Sequence, residues 1–116
     1  MGNVFMIEQR DLLLVPFPFS DQSGKKVRPV VVISNNSFNQ YSEDILVVAV
    51  TSNITKDKHT ILLLKNEIEE GILNHDCCIK VENILKIDKK LVIKRIGKIK
   101  PVLFQKVIEI LDSIIK

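Results

Sequence analysis

The chain has 116 residues, of which 46% are apolar and 5% aromatic, and its formal net charge is +3. A chain of this length forms one domain with a modest core, and its apolar content argues against a disordered protein. No apolar run approaches the roughly 20 residues of a membrane-spanning helix, and the first residues lack the apolar stretch of a signal peptide. The cysteines, Cys77 and Cys78, are adjacent and make no disulfide framework, so we expect a cytoplasmic protein.

The first half of the chain is dominated by apolar runs typical of β-strands. Residues 12–17 predict a first strand that is apolar on both faces and ends in prolines. Residues 19–26 contain Ser, Asp, Gly and Lys, which predicts a mobile loop. Residues 30–33 and 45–50 predict two further strands, joined by a polar connection rich in Asn and Ser.

Shorter elements follow in the second half. Residues 60–64 predict a fourth strand, and residues 67–70 predict a short acidic turn of helix that Gly71 stops. Residues 78–87 predict a strand interrupted by a bend or bulge near Glu82.

The chain ends in a predicted helix. Residues 91–99 are compatible with either a strand or a short helix, but Pro101 suits the first position of a helix. After it, apolar residues recur at helical spacing on one face: Leu103, Val107, Ile110, Leu111 and Ile114. Short strands with one terminal helix predict a single mainly β domain over residues 1–116, as a small β-barrel or rolled sheet with a C-terminal α-helix.

One cation and two hydroxyl groups lie at the ends of predicted strands. Arg28 is near the start of the run 27–33, and Thr51 and Ser52 end the run 45–52. These groups could converge on a phosphate, because a planar guanidinium binds phosphate through paired hydrogen bonds. Taken alone, however, Arg28 is better explained as an edge cation paired with a carboxylate, and the two hydroxyls as the cap of a strand end.

The C-terminal part is rich in basic residues. Residues 80–106 hold nine Lys or Arg against two acids, Glu82 and Asp88. Such a stripe attracts phosphate backbones without reading sequence. A solvated lysine-rich surface explains the same composition equally well.

Three stretches carry a resemblance to a known family. In chain order they are residues 11–19, residues 26–32 with Arg28-Pro29, and Val50-Thr51-Ser52. Together they resemble the MazF/PemK family of toxin endoribonucleases. The resemblance implies the SH3-like barrel of the MazF, PemK and CcdB toxins, assembled as a homodimer without a metal or other cofactor. It also implies a toxin of a type II toxin–antitoxin system whose cognate antitoxin inserts an acidic, extended segment along the dimer groove. The implied activity is sequence-specific cleavage of single-stranded mRNA, in which the 2′-hydroxyl attacks and leaves a 2′,3′-cyclic phosphate and a 5′-hydroxyl.

The same resemblance implies roles for individual residues. Arg28, Thr51 and Ser52 would form the catalytic centre, with Arg28 stabilising charge and donating a proton to the leaving 5′-oxygen. The residues implied to contact RNA are Phe19, Ser20, Lys25, Lys26, Lys80 and Glu82. The general base stays open between Glu82, His59 and a bound water.

The chain departs from the family pattern at a few positions. Arg10 stands where a glycine usually precedes the first strand's acid, and Lys80 and Glu82 stand where some relatives have Arg and Asp. These differences leave the expected fold unchanged and bear on cleavage specificity.

Two other interpretations are weighed against this one. His75, Cys77 and Cys78 form a possible metal set, but a closed site needs four ligands and only His59 could complete it, so we predict no metal site. A CcdB-like toxin that binds DNA gyrase without catalysis, and a nucleic-acid-binding regulator with weak catalysis, remain the alternative functions.

Overall fold

The computed structural model describes residues 6–16 and 27–116. Within these ranges the chain forms seven strands, two α-helices and two short 3₁₀ helices. The strands are β1 (Asp11–Pro16), β2 (Val27–Val32), β3 (Asp44–Thr51), β4 (Thr60–Leu63), β5 (Ile68–Gly71), β6 (Cys77–Asp88) and β7 (Lys94–Ile99). The α-helices are α1 (Asn36–Tyr41) and α2 (Pro101–Ile115), and the 3₁₀ helices span Lys65–Glu67 and Lys89–Leu91.

The strands form one antiparallel sheet in the order β4-β6-β3-β2-β1-β7-β5. The sheet curls into a half-barrel, and α2 packs against it. The predicted mainly β fold with a C-terminal helix is therefore confirmed. In the described residues no helix is long and apolar enough to cross a membrane.

Each face of the sheet carries its own apolar core, because successive residues of a strand point to opposite faces. The first core lies between the sheet and α2 and includes Leu12, Val31 and Val48. The second core lies on the other face and is formed by Leu13, Val15, Val30, Val32, Ile45, Val47 and Ile87. The central strands are thus apolar on both faces, as the sequence predicts.

Helix α2 begins at Pro101, as predicted, and buries Leu103, Phe104 and Val107 on the first core. Ile110 and Leu111 pack against the same core while partly buried, whereas Ile114, near the end of the helix, is 37% exposed. The apolar stripe of α2 is buried only over its first half, where the helix lies on the core.

Two elements differ from the sequence-based expectation. The polar connection before β3 contains α1, whose first turn is capped by the Asn35 side chain accepting a hydrogen bond from the Phe38 N–H at 2.8 Å. A helical turn was expected at residues 67–70, but only residue 67 is helical, and Ile68–Gly71 form strand β5, which pairs with β7. Pairing with β7 decides this conformation, and the only helical residues nearby are those of the 3₁₀ turn Lys65–Glu67.

The predicted interruption of β6 is confirmed. The register with β3 jumps from Lys80 to Ile84 between two neighbouring residues of β3, so residues 81–83 bulge out of the ladder. The ambiguous residues 91–99 form mostly strand β7, which is preceded by a 3₁₀ turn.

An ionic network ties β1 to β7 and β5. Asp11 is fully buried and accepts hydrogen bonds from the Arg95 Nε–H at 2.9 Å and the Glu8 N–H at 2.8 Å. Lys98 lies 3.8 Å from the same carboxylate and also pairs with Glu8. Arg95 extends the network to Glu70 at 2.7 Å. A buried carboxylate is tolerated only when it is paired in this way.

We predict that Gly97→Ala destabilises the protein, because a Cβ at Gly97 would overlap the Glu70 carbonyl oxygen of β5. Strand β5 would have to move away from β7, and we expect a loss of about 1–3 kcal/mol, the usual cost of overpacking. The unfolding midpoint in urea measures this effect. An unchanged midpoint would show that β5 does not approach β7 this closely.

We also predict that acid weakens the ionic network. A hydrogen bond from Arg95 holds the pKa of Glu70 below its ordinary value of 4.5, and one from Lys98 does the same for Glu8. Because the folded-state pKa values are lowered, this contribution to stability is complete above the unfolded value and is lost as the pH falls through the folded value. The stability difference between wild type and Glu70→Gln should therefore be largest near neutral pH and shrink below about pH 4.5. Urea unfolding of both proteins across this range tests it, and a difference independent of pH would contradict it.

Candidate active site

Pairing of the central strands brings the predicted catalytic residues to one end of the sheet. In the ladder between β2 and β3, Val30 pairs with Ala49. Continuing this register by two residues along each strand places Arg28 opposite Thr51. On its other edge, Thr51 pairs with Cys78 of β6.

Arg28, Thr51 and Lys80 also share one face of the sheet. Arg28 alternates with Val30, and Thr51 with Val47, and both valines belong to the second core. Lys80 pairs directly with Ala49 and therefore projects to the same face as its partner. The face that carries the second core thus ends in a cluster of two cations and a hydroxyl group.

Each of these side chains is accessible from solvent to some degree. Arg28 and Thr51 are half-buried, whereas Ser52, which follows the last residue of β3, is exposed. The Thr51 Oγ1 accepts a hydrogen bond from the Asn53 N–H at 3.1 Å, which orients the hydroxyl in a turn. The hydroxyl hydrogen can still rotate to donate to a ligand oxygen.

Lys80 and Glu82 each have a partner on the loop that precedes β4. The Lys80 Nζ lies 3.7 Å from the Asp57 Oδ2. The Glu82 carboxylate, in the bulge of β6, lies 3.1 Å from the Nδ1 of His59. The sequence predicts the bulge but not this contact, because no local pattern relates Glu82 to a histidine 23 residues earlier.

Four of the predicted RNA-contacting residues are not placed. Phe19, Ser20, Lys25 and Lys26 lie outside the described residues. Of the predicted site residues that the structure describes, it brings Arg28, Thr51 and Lys80 to one face and places Ser52 at their edge.

The basic stretch 80–106 is less available to phosphate than its composition suggests. Arg95 and Lys98 belong to the ionic network around Asp11. Lys80 pairs with Asp57, and Lys86 lies 3.9 Å from an oxygen of Asp44. Four of the nine cations in this fully described segment are thus already paired within the protein.

The cysteines lie on opposite faces of β6, because neighbouring residues of a strand alternate between faces, and both are buried free thiols. Cys77 belongs to the first core, whereas Cys78 pairs with Thr51. Burial raises the pKa of the Cys77 thiol. In the part of the chain that the structure describes, no three His, Cys, Asp or Glu side chains are grouped so that they could hold a metal ion.

A shallow pocket of about 380 Å³ lies at the other end of β3, lined by residues that include Tyr41, Asp88 and Lys90. It contains none of the predicted site residues.

Comparison with known proteins gives one family. The family model described as PemK-like, MazF-like toxin of type II toxin–antitoxin system matches residues 8–115. A MazF crystal structure from Deinococcus radiodurans has a TM-score of 0.76 at 14% identity, covering 95% of this chain and 96% of that one. An endoribonuclease from a mycobacterial species, in complex with its cognate antitoxin, has a TM-score of 0.75 at 15% identity and covers 92% of each chain. The Mycobacterium tuberculosis toxin MazF-mt6 has a TM-score of 0.72 at 14% identity, covering 90% of this chain and 94% of that one. At these identities the structural similarity establishes the fold.

We predict that the two thiols are unreactive in the folded protein. Cys77 is 4% exposed and Cys78 1%, and thiolate formation at Cys77 is suppressed by burial. A thiol reagent such as Ellman's reagent should label native protein slowly and react fully with both cysteines in urea. Rapid labelling of the native protein would contradict the burial of this part of β6.

Proposed function

The chain belongs to the PemK-like, MazF-like toxins of type II toxin–antitoxin systems, and we propose that it is an endoribonuclease that cleaves single-stranded RNA at specific sequences. The observation that carries the proposal is the register of β2 with β3, in which Val30 pairs with Ala49; continued by two residues, it would bring Arg28 across from Thr51 on one face of the sheet. A permanent cation beside a hydroxyl donor suits the charge that develops on a phosphate during cleavage.

In the proposed reaction the 2′-hydroxyl of the substrate attacks the adjacent phosphorus atom. The bond from phosphorus to the 5′-oxygen of the next nucleotide then breaks, which leaves a 2′,3′-cyclic phosphate and a 5′-hydroxyl. Since the nucleophile is supplied by the RNA itself, the protein has only to bind the phosphate, stabilise charge and move protons. No metal ion is required for these tasks.

Arg28 has the role of charge stabilisation. Its guanidinium can bind two phosphate oxygens at once and stays protonated at any working pH. The same property makes it a poor general base. Its half-buried position in β2 supports the role, because charge interactions strengthen where water is partly excluded.

Thr51 and Ser52 have the role of hydrogen-bond donors to the same phosphate. The Asn53 N–H that binds the Thr51 oxygen fixes that hydroxyl next to the end of β3. Ser52 is exposed and close in the chain, so it either assists on the phosphate or supports the turn. Lys80, on the same face, contributes to binding the RNA backbone.

The loop residues Phe19, Ser20, Lys25 and Lys26 are proposed to flank the RNA, with Glu82 at the edge of the site. The proposed protein partners are a second copy of the chain and a cognate antitoxin with an acidic segment that competes with RNA for the same groove. A protein with these partners and with mRNA as its substrate would act in the cytoplasm.

We predict that Arg28→Ala lowers the cleavage rate by about 10²- to 10³-fold, the usual effect of removing one preorganised donor to a developing oxyanion. Arg28→Lys keeps the charge but loses the planar fork, so its activity should lie between those of wild type and Arg28→Ala. The measurement is cleavage of a long RNA in EDTA, with mapping of the cut ends. Lys106→Ala is the matched control, because it removes one positive charge from the exposed side of α2.

Two outcomes would contradict the proposal. RNA that stays intact while expression of the wild type arrests growth would favour a toxin that binds a target such as gyrase. Cleavage that is equally fast in wild type and Arg28→Ala, with both proteins folded by thermal melting, would remove Arg28 from the catalytic centre. Replacing the 2′-hydroxyls of the substrate by 2′-O-methyl groups should block cleavage in either protein.

A further inference from the structure

We propose that the Asp57 carboxylate occupies, in the free protein, an anion site that takes an RNA phosphate when the substrate binds. The site is formed by the ammonium group of Lys80 and the hydroxyl group of Thr55. This inference rests on the proposed nuclease function, and it adds to that function a second phosphate position beside the one assigned to Arg28 and Thr51.

Two groups converge on the same oxygen of Asp57. The Thr55 hydroxyl donates to the Asp57 Oδ2 at 3.2 Å, and the Lys80 Nζ lies 3.7 Å from that same atom. A cation and a hydroxyl donor directed at one anionic oxygen are also what a non-bridging phosphate oxygen requires. The arrangement therefore suits a phosphate as well as it suits the carboxylate.

The backbone on both sides of the carboxylate is held to neighbouring strands. The Thr55 carbonyl oxygen accepts a hydrogen bond from the Cys78 thiol of β6 at 3.5 Å. The Asp57 carbonyl oxygen accepts one from the Thr60 N–H of β4 at 3.2 Å. Thr55 and Lys80 can therefore keep their places when the Asp57 side chain turns away. The exchange of ligands requires the rotation of one side chain and no opening of the loop.

The carboxylate is accessible and weakly held. The side chain of Asp57 is 58% exposed, whereas that of Lys80 is 25% exposed. An exposed ion pair contributes little to stability, because its charges stay solvated and salt screens them. The protein therefore loses little when Asp57 releases Lys80, and a phosphate can take its place.

The anion site lies on the face of the sheet that carries Thr51. Lys80 pairs with Ala49, which precedes Thr51 by two residues, and Cys78 pairs with Thr51 itself. One strand spacing across and two residues along put the Cα atoms of Lys80 and Thr51 on the order of 8 Å apart. A single strand carries one phosphate per nucleotide. A strand whose scissile phosphate lies at Thr51 therefore brings a neighbouring phosphate within reach of the long Lys80 side chain.

The charges of the loop make this one carboxylate important. Asp57 is the only acid in residues 45–66, and its neighbours in the chain are Lys56 and Lys58, both exposed. Its carboxylate repels an approaching phosphate and at the same time occupies Lys80. Removal of its charge would leave a loop that carries only cations and a lysine that is available to the ligand.

The test measures binding separately from cleavage. The probe is a fluorescent 2′-O-methyl oligoribonucleotide that carries a cut site mapped on a long RNA, because it lacks the attacking hydroxyl. Asp57→Asn keeps the size of the side chain and removes its charge, so it should lower the Kd about two- to fivefold, the equivalent of one exposed ion pair. Asp57→Ala should do the same. With cleavable RNA, KM should fall and kcat should stay unchanged, because Asp57 does not contact the reacting atoms.

Asp44→Asn is the matched control. Asp44 lies 3.9 Å from Lys86 in another exposed pair, and it begins β3, whereas Thr51 ends that strand. The control removes the same charge from the protein, so it reports the general effect of a more positive chain on RNA affinity. The gain in affinity from Asp57→Asn should exceed this general effect.

Two double variants test whether Lys80 and Thr55 form the site. Combined with Lys80→Ala, Asp57→Asn should strengthen binding no more than the control does, because no cation is left to release. Combined with Asp57→Asn, Thr55→Val should weaken binding about two- to tenfold, the equivalent of one hydrogen bond.

Three results would overturn the inference. The first is an equal Kd for wild type and Asp57→Asn, with both proteins folded by thermal melting. The second is a gain from Asp57→Asn that persists in full alongside Lys80→Ala. The third is an Asp57→Asn protein that binds an oligoglutamate peptide more tightly but RNA no more tightly, since the site would then take carboxylates.

The design also separates this inference from the proposed function. If wild type cuts RNA, Arg28→Ala does not, and Asp57→Asn binds and cuts RNA as wild type does, then only the inference fails. RNA that wild type neither binds nor cuts would overturn both.

Discussion

Strand β3 is paired along both edges, and the candidate site depends on its register with β2 and β6. A slip of one residue would move every side chain of a strand to the other face of the sheet. Thr51 would then point toward the core beneath α2, and it would no longer share a face with Arg28. The valines of β2 and β3 oppose such a slip, because it would move the side chains of each apolar core to the opposite face of the sheet. The register that positions the polar residues at the sheet end is thus enforced by apolar residues farther along the same strands.

On the other side of β2, ion pairs join strands β1 and β7. Asp11 is fully buried beside Arg95 and Lys98, and it joins β1 to β7. Such a group adds little net stability, but removing one partner leaves an uncompensated charge in the interior. It also uses two cations that composition alone would assign to phosphate binding. Both cations are therefore engaged by the fold and less available to a phosphate ligand.

Much of the fold could be predicted from the sequence, because the strands are runs of Val, Ile and Leu and α2 has an amphipathic pattern. Strand β5 could not, since Ile68–Gly71 is short and acidic and becomes a strand only through its pairing with β7. Helix α1 was missed because its segment lacks an apolar stripe, although Asn35 is a recognisable cap. For the site, the family resemblance pointed to Arg28 and Thr51, and the register brings them together. The contact between His59 and Glu82 joins a loop to a bulge, and only the tertiary structure relates those two positions.

The pairing of cations within the basic stretch has a consequence for binding kinetics. A protein that neutralises few phosphates releases few counterions, and on a single strand the salt dependence of its affinity has a slope of only about 0.7 per phosphate. If RNA is the ligand, Lys86, Arg95 and Lys98 would add little to this slope, because each already faces a carboxylate of the protein. A weak, nonspecific grip allows rapid dissociation from fragments and from sequences that do not match.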